Sequence, residues 1–229
     1  MDAVPTTPTA LRPAGAPTGP RPSRPESGLH APLARRRSTR AFDPAPVPGA
    51  DVALVFEAAR WAPSAMNRQS WRFVVGRRDD AGPDLTHAAL TEALAPGNRT
   101  WADRASLLVA AFAPTHVSGP DEGPDLTAAY ELGLAVAHLE TQAHALGLVT
   151  HQMGGFSREA VTTVFDVPDG WTPVVVVAVG RPGDVADLPA ELAGREAAPR
   201  TRIPLTDLVF SSTWGRPALP DVDVDRAVA

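Results

Sequence analysis

Cysteine is absent from the 229-residue chain, and so is lysine. Without thiols there are no disulfides, thiolate metal sites or cysteine nucleophiles. Without lysine there is no Walker-type phosphate loop and no Schiff-base amine, and all 21 basic residues are arginine. Long hydrophobic runs are also missing. The longest, residues 107–113 and 174–179, fall well short of the ~18 residues a membrane-spanning helix needs, so no membrane partner is expected. The first thirty residues lack the apolar segment of a secretory signal, and the expected compartment is the cytoplasm. No two glycines are separated by one residue, which removes the GxGxxG dinucleotide turn, and GxSxG is missing too. The six histidines have neither HxxxH nor HExxH spacing, so they read as surface or core residues and no metal site is expected.

Hydrophobic residues make up 44% of the chain and charged residues 21%, a globular balance that fits one substantial domain. The net charge of −5 is unevenly spread. Residues 1–40 carry seven Arg against Asp2 and Glu26, whereas residues 41–229 carry 14 Arg against 24 acidic residues. A body at −10 repels phosphate backbones, so nucleic acid is not an expected partner.

Residues 1–32 hold the Pro-rich opening and read as a disordered tail. The stretch from Asp51 places Val52, Val55, Ala59 and Ala62 on one helical stripe, with Asp51 as N-cap and Pro63 ending the helix. A strand is expected at 71–76, a helix opened by Asp84 at 85–94, and a second strand at 106–112. The longest helix is expected at 126–146, with Gly147 in the left-handed position that follows a helix. A strand at 148–153, a Ser157-capped helix and a valine strand at 174–180 complete an α+β, or mixed α/β, domain over 33–214. Residues 215–229 form a C-terminal tail, and the Pro-rich stretch from 182 onward is too thin for a core of its own.

Four segments could carry chemistry. RRRSTRAF at 35–42 sets four guanidiniums beside two hydroxyls, which suits a phosphate dianion, although a solvated basic run has the same composition. PSAMNRQSW at 63–71 is a turn whose backbone, with Asn67 and Gln69, could hydrogen-bond a flat polar ring or merely reverse the chain. Gly154 and Gly155 stand between a strand and a capped helix, where backbone N–H groups can approach a ligand and where a tight turn needs glycine anyway. PRTR at 199–202 offers Arg200 and Arg202 as late cations.

In order and spacing these segments resemble the FMN-dependent nitroreductase family. The match lies in RRSTRAF, APSAMNRQSW, a later Asn98, the helix ending AHALGL, GGF, a strand closing in VGRP, and RTR, across about residues 34–214. The resemblance implies a mostly antiparallel central sheet flanked by helices, with a C-terminal segment exchanged in a homodimer. It makes Arg36, Arg37, Ser38, Arg40, Arg200 and Arg202 contacts of the FMN phosphate and ribityl chain. Pro63, Ser64 and Ala65 match the segment that approaches the flavin from the second subunit, and Asn67 and Gln69 belong to the same motif. Asn98 matches the amide at the pyrimidine edge, and Gly154 and Gly155 the turn that addresses flavin N5.

The implied activity is transfer from NADPH or NADH, through FMN, to a small acceptor such as a nitroaromatic, quinone or enone. Dehydrogenation in a biosynthetic pathway and non-catalytic FMN holding are the alternatives on the same scaffold. FMN carries the chemistry, so no side chain is expected as general acid or nucleophile. Trp61, Met66, Arg68, Trp101 and Phe156 are candidate pocket residues. Trp101 stands where some relatives carry Lys, His138 replaces a frequent Asn, and Ser70 replaces the usual Pro. The connector between 113 and 126 is short, which implies an open or mobile active site.

Overall fold

The computed structural model describes residues 29–116, 123–125 and 127–219. The expected N-terminal tail lies outside the described residues up to 28, the C-terminal tail beyond 219, and Leu126 with them. In chain order the elements are α1 (Ala31–Arg35), β1 (Phe42–Asp43), α2 (Gly49–Arg60), β2 (Arg72–Asp79), β3 (Gly82–Pro83), α3 (Leu85–Ala93) and α4 (Pro96–Ala102). Then follow β4 (Leu107–Pro114), α5 (Ala128–Ala145), β5 (Val149–Met153), α6 (Arg158–Val164), β6 (Trp171–Pro182) and α7 (Ala190–Ala197).

The apolar run expected as a strand is β4, buried along nearly its whole length. It lies between β6 and β2 in an antiparallel sheet ordered β1-β6-β4-β2-β3, with β5 also paired to β6. Side chains alternate across a strand, so Leu107, Val109, Ala111 and Ala113 pack with Val55 and Ala59 of α2 and Leu132 and Leu139 of α5. Leu108, Ala110 and Phe112 face the other way, onto Leu90, Trp101 and Val161. A strand covered by helices on both faces has no polar side to show, which is why its sequence reads as one continuous apolar run. The fold is therefore α+β, as expected.

Several boundaries move for physical reasons. Asp51 is not the N-cap of α2: the amides of both Asp51 and Val52 donate to Pro48 O, so the helix already starts at Gly49. Asp51 sits in the first turn, where its charge favours the positive helix end. The helix ends at Arg60, before Pro63. β6 begins at Trp171 rather than 174, because a register shift between Ala111 and Phe112 accommodates Pro173, which has no N–H to give the ladder. Asp84 and Ser157 cap their helices as expected, accepting from the amides of His87 and Ala160. Gly147 has φ +78°. Gly76 lets α3 close onto β2, since a Cβ there would stand 2.3 Å from His87 Cα.

Candidate functional site

The two arginine-bearing segments, far apart in sequence, meet in the fold. Arg200 donates to Arg36 O at 2.8 Å and to Ala34 O at 2.7 Å, and Arg37 donates to Ala198 O at 2.9 Å and to Glu196 O. Glu196, on α7, holds the other side of the segment: its carboxylate accepts from the Thr39 hydroxyl and from the Arg40 amide at 3.1 Å. Arg36 donates to the Ser38 hydroxyl at 3.3 Å. Among the described residues no carboxylate forms an ion pair with Arg36, Arg37, Arg40, Arg200 or Arg202. Burial, and then the charges of Arg37, Arg202 and Arg36, push the Arg200 pKa below its ordinary value. This concentration of positive charge is what an anion would neutralise.

Strand β5 links this cradle to the glycine turn. Ser38 bridges Thr150 near the start of β5, and Gly154 follows its last residue, Met153. Four residues of strand separate the two points by ~13 Å. Thr150 donates to Glu140 at 2.7 Å and Gln152 Nε2 to its other oxygen at 2.9 Å, so the buried Glu140 carboxylate is satisfied from β5. His151 points its Nδ1 at Thr39 O, 2.9 Å away, and its ring lies 4.5 Å from that of Trp101. Burial lowers the His151 pKa, and the Arg40 cation adds to that.

The glycine turn is held from the α3–α4 corner. Asn98 Nδ2 donates to Gly155 O at 3.1 Å, the Ala95 amide donates to the same oxygen at 2.9 Å, and the Ser157 amide donates to Ala93 O. An added Cβ at Gly155 would lie 3.2 Å from Asn98 Nδ2, whereas Gly154 has open space. Asn98 and the glycine pair, expected at one site, are therefore in contact.

The 63–69 loop is separately anchored. Met66, Asn67 and Gln69 all have positive φ, between 51° and 57°, an arrangement that side chains with a Cβ resist. Three ties hold it: the Ala65 amide donates to the buried Glu131 carboxylate at 2.8 Å, the Gln69 amide donates to Ser64 Oγ at 2.9 Å, and Arg68 reaches Asp125, Glu131 and Thr127. Burial raises the Asp125 carboxyl, but the Thr127 hydroxyl and amide, Arg68 and the Ala128 amide together hold it below its ordinary range. Pro63, Ala65, Met66 and Asn67 remain exposed.

The pocket candidates divide. Met66 is 95% exposed and Trp61 71%, with the Trp61 indole donating to Glu57 above a cleft bounded by α2 and α5. Phe156 is half-buried under Arg158, next to the glycine turn. Arg68 is a tie of the loop to α5. Trp101 corrects the expectation of a pocket wall: at 1% exposure it stacks on Phe42 and belongs to the core, because α4 turns it under the sheet. Two contributors were not read from the sequence, Glu196 and His151. Glu196 lies in a polar segment, and only its distance in space to Thr39 reveals it.

A flanked antiparallel sheet with an arginine cradle at one edge strand and a glycine turn at the end of that strand defines the class of α+β protein. The comparisons make it specific: residues 33–181 match the nitroreductase family, and the chain belongs to that family. An uncharacterized 15.4 kDa protein in the ask 5′ region of Mycolicibacterium smegmatis is 39% identical over 151 residues, 64% of this chain and 99% of that one. The 5,6-dimethylbenzimidazole synthase of Rhodospirillum rubrum is 31% identical over 183 residues, 71% and 85% of the two chains. A solved oxidoreductase containing FMN is 35% identical with TM-score 0.75, covering 81% of this chain and 92% of that one.

Proposed function

We propose that the protein is an FMN-dependent oxidoreductase that draws on NADH or NADPH to reduce nitroaromatic, quinone or related acceptors in two half-reactions. The observation that carries this reading is the cradle of Arg36, Arg37, Arg40, Arg200 and Arg202, whose five cations meet one carboxylate, Glu196, which is spent on Thr39 and the Arg40 amide and forms no ion pair with them among the described residues. Its chemistry fits a phosphate monoester, and likeness to an FMN-containing oxidoreductase supports the same choice. Arg37 and Arg200 spend donors on the carbonyls of the facing segment and shape the cradle, and Arg202 gives one donor to its neighbour Thr201 O, which leaves Arg36, Arg40, the rest of the Arg202 fork and the Ser38 hydroxyl to meet the phosphate and ribityl chain.

When bound, FMN would supply hydride and electron transfer between the nucleotide and the acceptor. The chain's own part is placement. Asn98 gives its amide N–H to Gly155 O, which leaves its amide oxygen to accept from the flavin's pyrimidine edge. Gly154 and Gly155 present exposed backbone toward the N5 side. Pro63, Ser64 and Ala65, with Asn67 and Gln69, extend on an anchored loop toward a second subunit. Exposed Leu54 on α2, Trp61 directly after it and Tyr130 on α5, with Ile203, Leu208 and Trp214 after α7, support a homodimer as the working form. The cradle uses Arg200 of the same chain, so an exchanged C-terminal arm would start beyond it.

The test is an anaerobic stopped-flow titration of the FMN-loaded protein with NADPH and with NADH, followed by mixing with a nitroaromatic. Bleaching of the flavin band and its return on mixing are the expected result. Tight flavin that stays oxidised with both nucleotides would instead favour a dehydrogenase in a biosynthetic pathway or an FMN-holding protein; likeness to a 5,6-dimethylbenzimidazole synthase supports a biosynthetic role of some kind. Loss of flavin on purification would overturn the cradle assignment.

A further inference from the structure

A second cavity opens at the end of the sheet that carries the glycine turn. Val74, Phe112, Phe165, Val167 and Trp171 wall an open cleft of about 370 Å³, with Arg72 at its rim. Its place follows from strand register. Arg72, at the start of β2, pairs with Phe112, and Phe112 pairs with Pro173. Met153 pairs with Val176, only three residues further along β6, or ~10 Å of strand. The cleft therefore shares one sheet end with the Gly154 turn. A direct chain of contacts joins them: Arg158 lies over the Phe156 ring at 5.2 Å and donates to Pro173 O at 3.2 Å.

Arg72 is placed with care. Its guanidinium stands 5.1 Å from the Trp171 ring centroid, and its Nη1 donates to Trp71 O at 2.6 Å and Gln69 O at 3.2 Å. It is thus fixed between the 63–69 loop and the cleft. Among the described residues no carboxylate forms an ion pair with it. A stacked, oriented and unneutralised guanidinium above aromatic and aliphatic walls suits a flat ring carrying an anionic group.

We propose that this cleft binds planar aromatic carboxylates, with the ring against Phe165 and Trp171 and the carboxylate on Arg72. The proposal rests on the reading of the protein as an acceptor reductase and names the chemistry of the acceptor's far end.

Equilibrium dialysis of the FMN-loaded protein without reductant, against 4-nitrobenzoate and its neutral analogue 4-nitrobenzamide, tests it. The carboxylate is expected to bind about tenfold more tightly, the scale of one charge-assisted contact. Arg72→Gln abolishes that preference, Arg72→Lys retains part of it, and Trp171→Leu weakens both probes. The visible flavin spectrum of each variant reports whether the protein has folded. Equal affinities for the two probes, or a preference that survives Arg72→Gln, would overturn the proposal. NAD(P)H-driven turnover is measured separately. Carboxylate-selective binding without turnover leaves the cleft standing and overturns the reductase reading, whereas turnover without selectivity overturns the cleft.

Discussion

Three histidines, His87, His144 and His151, are shifted in the same direction by the same force. Burial lowers the pKa of each, because the folded protein does not solvate the imidazolium. In the unfolded chain each would titrate near ~6.5. The folded state therefore holds them neutral, and their contribution is fully present above that pH and is lost as pH falls through and below it. Each fully buried histidine adds a slope of up to ~1.4 kcal/mol per pH unit in the acid range. Thermal melts are expected to show a falling Tm from pH 7.5 to 5.5. Replacing His87 and His151 by Gln should flatten that fall while lowering Tm at neutral pH, since Ala105 O and Thr39 O lose their imidazole partners. A wild-type Tm that stays level over this range would contradict the burial account. At this scale the sequence was readable where chemistry is local. Asp84 and Ser157 were identified as caps because the cap lies next to its helix. Trp101 was misread because nothing nearby in sequence says which way α4 rolls its ring.

The 63–69 loop is where one element depends most on another. Its three left-handed residues would relax in isolation, so the conformation is imposed by Glu131 on α5, which accepts from the Ala65 amide and pairs with the loop's own Arg68. Glu131→Ala removes the buried carboxylate that accepts from the Ala65 amide and is expected to destabilise the protein by about 1–3 kcal/mol, read from the urea midpoint. Flavin retention should fall with it. Glu131→Gln, which keeps an acceptor for Ala65, should recover most of the stability but lose the pairing with Arg68. A midpoint unchanged in Glu131→Ala would show that the loop holds its own shape. The elements legible in advance were those with a strong period or a continuous apolar run, β4, α5 and β6. Those missed were short or broken by proline: α1 and α4 open on Pro, β1 and β3 are two-residue pairings, and α7 has a polar sequence whose docking rests on Arg37 and Thr39.

For the whole molecule, the exposed apolar side chains set the expectation of a pair. Trp214 is 93% exposed and Trp61 71%. Sedimentation equilibrium is expected to give about twice the 24.0 kDa chain mass. A monomer at micromolar concentration would remove the second subunit from the proposed site. The family could be read from the order of its motifs, but their convergence could not. That Arg36 and Arg200 share a hydrogen bond across 164 residues is a property of the folded chain alone.

That span sets a timetable for the cofactor. The early arginines are made first, but Arg200 and Glu196 are added only after every strand of the sheet, from β1 to β6. The cradle does not exist on a nascent chain, however well its sheet has begun to form. On the proposed reading, flavin loading waits for residues 196–200, and a chain stalled or clipped before residue 196 is expected to emerge colourless even with its core intact.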